Sequence, residues 1–175
     1  MNTIRAVCLS AVTGIWLVAM PSAAQEAAPA NPLIDYPGFV ELAGKVGEYR
    51  EVRRLPWAEF AARARADGAV LLGARSETAF AQGHIAGAIN LPLPDFTAAR
   101  LAEVLGPDTS RPVYIYCNNN FADDRVPVVT KKVELALNIP TFINLYGYGY
   151  ENVWELAEVI RTDGPGANWV SGGVS

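Results

Sequence analysis

The stretch Leu71-Leu72-Gly73-Ala74-Arg75-Ser76-Glu77-Thr78-Ala79-Phe80-Ala81-Gln82-Gly83-His84-Ile85-Ala86-Gly87-Ala88-Ile89-Asn90-Leu91-Pro92 sets three elements in a short span. It opens on the end of Ala69-Val70-Leu71-Leu72, an unbroken apolar run of the kind found in a strand buried on both faces. A short helix follows around Glu77 to Gln82, then a second strand over Ala88 to Leu91. Strand, helix and strand in this order argue for parallel pairing in a covered sheet.

The alternation extends in both directions. Upstream, Asp35 to Tyr49 places Phe39, Leu42, Ala43 and Val46 on one helical face. Arg50 to Leu55 reads as an edge strand, and Pro56 opens a helix that Asp67-Gly68 ends. Downstream, Leu101, Val104 and Leu105 mark a helix over Asp95 to Leu105, and Val113 to Tyr116 is the next strand. The spacing of Val129, Val133, Ala136 and Leu137 then predicts a helix over Val126 to Leu137. A strand over Thr141 to Leu145 and a helix over Tyr150 to Ile160 complete the series. The expected fold is α/β: a three-layer arrangement with a mostly parallel central sheet and helices on both faces. Ligands of such sheets bind at the carboxyl ends of the strands.

The amino terminus reads as a secretory signal. Met1 to Arg5 is a short basic region, Ala6 to Met20 is apolar, Pro21 breaks it, and Ser22-Ala23-Ala24 suits cleavage after Ala24. The run is shorter than the ~20 residues that span a bilayer. Residues 1–24 are thus expected to be a signal peptide, and the mature protein periplasmic or secreted with no membrane attachment. About 150 residues remain, enough for one core. Residues 25–49 form a leader and an N-terminal helix, and the Gly-rich residues 162–175 a flexible tail. The net charge is −4, or −5 once Arg5 is lost, with no basic block, so nucleic acid and anionic lipid are not expected partners. Of two cysteines, Cys8 lies in the signal, and His84 is the only histidine. No disulfide framework, structural metal site or other cofactor is expected.

That leaves one thiol. Cys117 ends Val113-Tyr114-Ile115-Tyr116-Cys117 and begins the polar loop Asn118-Asn119-Asn120-Phe121. A thiol at a strand's carboxyl end, ahead of a loop, suits chemistry on sulfur or phosphorus. The three asparagines suggest a polar rim and not a core. A Cys-x5-Arg phosphatase needs Arg six positions on, where this chain has Asp123; Arg125 is out of register.

The run from Gly73 and Arg75 through Phe80 and Gly83-His84-Ile85 to Asn90 and Pro92, with Cys117 following a later strand, resembles the rhodanese-like family. The resemblance covers about Leu55 to Ile160 and implies a rhodanese-like domain over residues 50–161. It implies that Cys117 attacks a small sulfur donor, becomes a persulfide and passes the sulfur to a thiophilic acceptor, an exported protein being one candidate. The loop amides would stabilise the thiolate, with Asn118, Asn119, Asn120, Phe121, Ala122, Asp123 and Arg125 contacting substrate and a helix from about Val126 adding its positive end. His84 looks structural in the family. The alternative is a catalytically inactive rhodanese-like binding or thiol-redox module in the periplasm.

Departures from the family pattern also carry expectations. Gly73 and Ala79 stand where the family has Asp and Glu, so Arg75 lacks its usual partners and Glu77 is a candidate substitute. The Cys117 loop is longer by about four residues, a length that remodels a loop without breaking a fold. Asp123 and Asp124 would repel dianionic thiosulfate and favour a neutral or organic donor. Tyr146, Tyr148, Tyr150 and Trp154 either wall the pocket or pack into the core.

Overall fold

The computed structural model describes residues 31–172, so the expected signal peptide lies outside the described residues. From Asp35 onward the chain forms one compact unit. Its strands are β1 (Arg54–Leu55), β2 (Val70–Gly73), β3 (His84–Ile85), β4 (Ile89–Asn90), β5 (Val113–Tyr116), β6 (Val153–Leu156) and β7 (Trp169–Val170). Its helices are α1 (Tyr36–Glu51), α2 (Trp57–Ala64), α3 (Glu77–Gln82), α4 (Ala98–Leu105) and α5 (Asn138–Gly147). The central sheet runs β1-β6-β5-β2-β4 with every pairing parallel. A separate antiparallel ribbon joins β3 to β7.

Strand periodicity divides the core in two. Val70, Leu72, Val113, Ile115 and Val153 point to one face, where Val46 of α1, Leu101 of α4 and Phe142 of α5 cover them. Leu71, Tyr114, Tyr116 and Leu156 point to the other, against Phe60 of α2, Ile85, Phe121 and Val128. The sheet thus has helices on both faces, which is why β2 and β5 are buried at every position. Capping sets the helix starts: the Asp35 side chain accepts from Gly38 N at 2.9 Å, and Thr97 from Arg100 N at 3.2 Å.

The structure corrects three sequence expectations between Val126 and Ile160. Val126 to Leu137 is not a helix; it holds only a single 3-10 turn, Val133–Leu135. Side chains have taken the backbone groups a helix would use. Asn118 donates to Val129 O at 2.9 Å, Asn119 pairs with both Lys131 N and Lys131 O, and Asp124 accepts from Thr130 N at 2.9 Å. The helix comes next, as α5, over residues rich in β-branched and aromatic side chains that read as a strand. Burial of Phe142, Ile143 and Leu145 against the sheet overrides that propensity. The strand then falls at Val153–Leu156, inside the span expected to be helical.

Two boundaries also move. α1 is part of the domain core through Val46, with Leu42, Ala43 and Tyr49 packed on the same cluster. The 162–175 segment is not a loose tail as far as it is described. β7 pairs with β3, Ala167 is buried, and Trp169 lies so close to Gly83 that a Cβ there would meet Trp169 Nε1 at 2.3 Å.

Candidate functional site

Cys117 keeps extended backbone angles (φ −141°, ψ −175°), so its side chain continues the Val113–Ile115 row onto the face covered by α1 and α5. Glu155 lies beside Ile115 in the β5–β6 register and shares that face. Both line a cleft of about 310 Å³ with Arg50, Asn119, Asn138 and Ala136. A larger cleft, about 440 Å³, opens near the amino ends of β5 and β6 by Arg53, Ser110 and Asn152, and holds no thiol.

The first amides of α5 account for the sulfur's surroundings. A helix start leaves four N–H groups without intrahelical partners. Ile139 N bonds Ala136 O at 3.0 Å, Pro140 has no N–H, and Leu137 supplies no capping side chain. The remaining amides, of Leu137 and Asn138, act on the Cys117 sulfur together with that of Asn119. Each favours thiolate, yet burial is the larger effect and pushes the thiol above its ordinary value; the Glu155 carboxylate pushes the same way. The helix end expected at Val126 is therefore supplied by α5, and the expected amides of Asn118 to Asp123 reduce to that of Asn119 beside those of Leu137 and Asn138.

Asn120 is the hub of the network. It is buried, and both ends of its amide are used. Its Oδ1 accepts from Cys117 N at 2.9 Å and from Asn138 Nδ2 at 3.0 Å. Its Nδ2 donates to Leu156 O at 2.9 Å and Glu158 O at 3.1 Å. Asn138 also donates to Glu155 Oε1 at 3.1 Å. Arg50 closes the chain with a bidentate grip on Glu155, Nη2 to Oε1 at 2.6 Å and Nε to Oε2. That pairing holds the Arg50 guanidinium above its already high ordinary value.

The sequence-predicted contact residues divide. Asn119 and Asn120 meet Cys117 at the cleft. Asn118 lines a neighbouring cleft and holds Val129. Phe121 is core, edge-on to Tyr116 and Trp169. Ala122 bonds Ile160 O through its amide and is exposed. Asp123 is turned from the thiol: its side chain accepts from Thr162 N at 2.9 Å and lies 3.7 Å from Arg125 and 3.8 Å from Arg161. Asp124 is spent on Thr130. The carboxylate that acts on the thiol is Glu155 instead.

Other expectations resolve in the same geometry. The His84 Nδ1 lies 2.9 Å from Phe80 O, its ring stacks on Phe80, and it does not line the cleft. Arg75 is buried among carbonyls, those of Ala79 and Pro127 at 3.2 Å and that of Gly83; burial lowers its ordinary value, and Glu77 makes no bond to it. Gly73 is explained by Phe80, whose ring would lie 2.9 Å from a Cβ there. Tyr146 stacks edge-on against Tyr49, Tyr150 donates to Gly106 O, and Trp154 lies under Arg53 and Arg63. None of these aromatics lines the Cys117 cleft.

The family model described as rhodanese-like domain matches residues 57–158, more than half of the chain. The crystal structure of the Alr3790 protein from Anabaena sp. is similar at 18% identity over 67% of this chain and 92% of that one, with a TM-score of 0.44. No curated protein matches the chain.

Proposed function

The chain belongs to the rhodanese-like domain family, and from that premise we propose that it is a sulfurtransferase or sulfane-sulfur carrier with Cys117 as its nucleophile. The observation that carries this reading is the place of the thiol at the carboxyl end of β5, in a cleft it shares with Asn119 and with Asn138 at the start of α5. The sulfur of Cys117 attacks the outer sulfur of an organic hydropersulfide. A bond forms between the two sulfurs, the donor's S–S bond breaks, and the Cys117 proton leaves with the departing thiol. A thiophilic acceptor then removes the outer sulfur and regenerates the cysteine. The three amides stabilise negative charge on sulfur in both half-reactions and need no side-chain base.

An organic donor suits the cleft better than thiosulfate, because the charge of its one guanidinium, that of Arg50, is already engaged by Glu155 through Nε and Nη2. The work is done after export, in the periplasm or outside the cell, with residues 1–24 removed. The test is catalytic transfer. The full mature chain, given a small hydropersulfide and an acceptor thiol, should release sulfide at a rate that Cys117→Ser abolishes. Equal release by wild type and Cys117→Ser would leave the family's binding-module role as the better reading.

A further inference from the structure

Among the residues that line the Cys117 cleft, Arg50 and Glu155 are the only charged side chains. Glu155 belongs to β6 and is 4% exposed. Arg50 stands in the last turn of α1, ahead of the residues 57–158 that match the rhodanese-like model. A carboxylate buried beside a thiol that reacts as an anion works against the reaction, because like charges disfavour each other's ionised form.

The hydrogen bonds of Glu155 show what it contributes in return. Its Oε1 accepts from Asn138 Nδ2 at 3.1 Å, the same Nδ2 donates to Asn120 Oδ1 at 3.0 Å, and that oxygen accepts from Cys117 N at 2.9 Å. Arg50 grips both Glu155 oxygens from the other side, through Nε and Nη2. One unbroken line of hydrogen bonds therefore runs from α1 to the Cys117 backbone. The planar guanidinium fork matches the carboxylate and fixes its orientation. Its charge also attracts the Cys117 thiolate directly.

No other nearby charge takes its place. Glu51 lies 3.9 Å from Arg50 and is exposed. Arg75 also attracts the thiolate, but its guanidinium is bonded to the carbonyls of Ala79, Gly83 and Pro127. The α5 helix carries no charged side chain, and Lys131, Lys132 and Glu134 do not line the cleft.

We propose that Arg50 is a positioning residue for the sulfur chemistry: it holds Glu155, and through it Asn138 and Asn120, in place around Cys117, and it cancels the Glu155 charge so that anionic sulfur can form in the cleft. The inference rests on the sulfur-transfer reading above and adds no bond-making step to it.

The test is the pH profile of Cys117 alkylation by iodoacetamide in the full mature chain, which reads the thiolate whether or not sulfur is transferred. Arg50→Gln leaves the Glu155 charge uncompensated and should move the profile to higher pH by about one unit. Glu155→Gln leaves the Arg50 charge alone and should move it to lower pH by about as much. The double variant carries neither charge and should return close to wild type. Arg50→Lys keeps the charge without the fork and should lie nearer wild type than Arg50→Gln. At neutral pH Arg50→Gln should also take up sulfur from N-acetylcysteine hydropersulfide about threefold more slowly, a tenfold loss of thiolate being offset in part by greater nucleophilicity. A merely structural Arg50 would change the melting temperature and leave the profile where it was. Single variants whose profiles do not move in opposite directions, or a double variant that does not return, overturn the proposal. Should Arg50→Gln fail to fold, the step from Glu155→Gln back to wild type in the double variant decides by the same rule. Failure of the hydropersulfide to load wild-type Cys117, with the alkylation shifts intact, overturns the sulfur-transfer reading and leaves only the coupling of Arg50 and Glu155 to the thiol.

Discussion

Replacing Asn120 by alanine should cost far more stability than either neighbouring asparagine. The change removes four hydrogen bonds at once. Asn138 keeps its bond to Glu155, and Glu158 O is only part-buried. The Cys117 N–H and the Leu156 carbonyl are left buried with no partner. At about 1–3 kcal/mol for each such group, the expected loss is about 2–6 kcal/mol. For a domain of this size that lowers Tm by about 4–20 °C. Asn118→Ala and Asn119→Ala break exposed bonds whose partners rehydrate, so each should cost less than about 1.5 kcal/mol. Urea unfolding followed by tryptophan fluorescence separates the three, as a fall in midpoint at constant slope. A loss below about 1 kcal/mol for Asn120→Ala, or an equal loss for Asn118→Ala, refutes the assignment of a buried hub.

Because burial raises the Cys117 thiol, its alkylation rate should turn over with pH above the ordinary thiol value of about 8.5. Glu155→Gln should shift that profile to lower pH by removing the neighbouring negative charge, and an unmoved profile would separate Glu155 from the thiol. In the fold, the raised value means that this group's contribution to stability is complete below the ordinary thiol range. It is lost as pH rises from there toward the raised value, which urea midpoints across that window will show. Asp123→Asn with Asp124→Asn should leave the loading rate of Cys117 unchanged, since neither side chain lines its cleft; a faster rate would put them there. Gly83→Ala should destabilise by about 1–3 kcal/mol, because its Cβ would have to displace the Trp169 ring. An unchanged melting temperature would show that the 162–172 segment is not seated on the domain.

The parts of the fold legible in the sequence are those where one local signal suffices. Val70 to Leu72 and Val113 to Ile115 are apolar at every position, and only a strand covered on both faces needs that. Cys117 directly follows such a strand, so its place at the sheet's carboxyl edge could be read from its position alone. Between Val126 and Ile160 two signals compete. The apolar spacing of Val129, Val133 and Leu137 suits a helix, but Asn118, Asn119 and Asp124, remote in sequence, claim the backbone. That displaced the expected helix by one element and hid the true donor, the start of α5.

Glu155 and Arg50 escaped for a related reason. Read as helix, Trp154-Glu155-Leu156 leaves a carboxylate in solvent. Read as the buried strand it is, the same residues demand a partner, and Arg50 at the end of α1 supplies it. The Asn118–Asn120 run misled by composition. Asparagines suit a wet rim, yet one of the three is fully bonded within the core.

The central claim is that Cys117 takes up sulfur, and intact-mass analysis of the mature chain after brief exposure to N-acetylcysteine hydropersulfide tests it most directly. We predict a gain of one sulfur atom, located on the Cys117 peptide, absent in Cys117→Ser and discharged by an added thiol. A wild-type mass that does not change, from folded protein whose Cys117 also resists alkylation at pH above the thiol range, would contradict it.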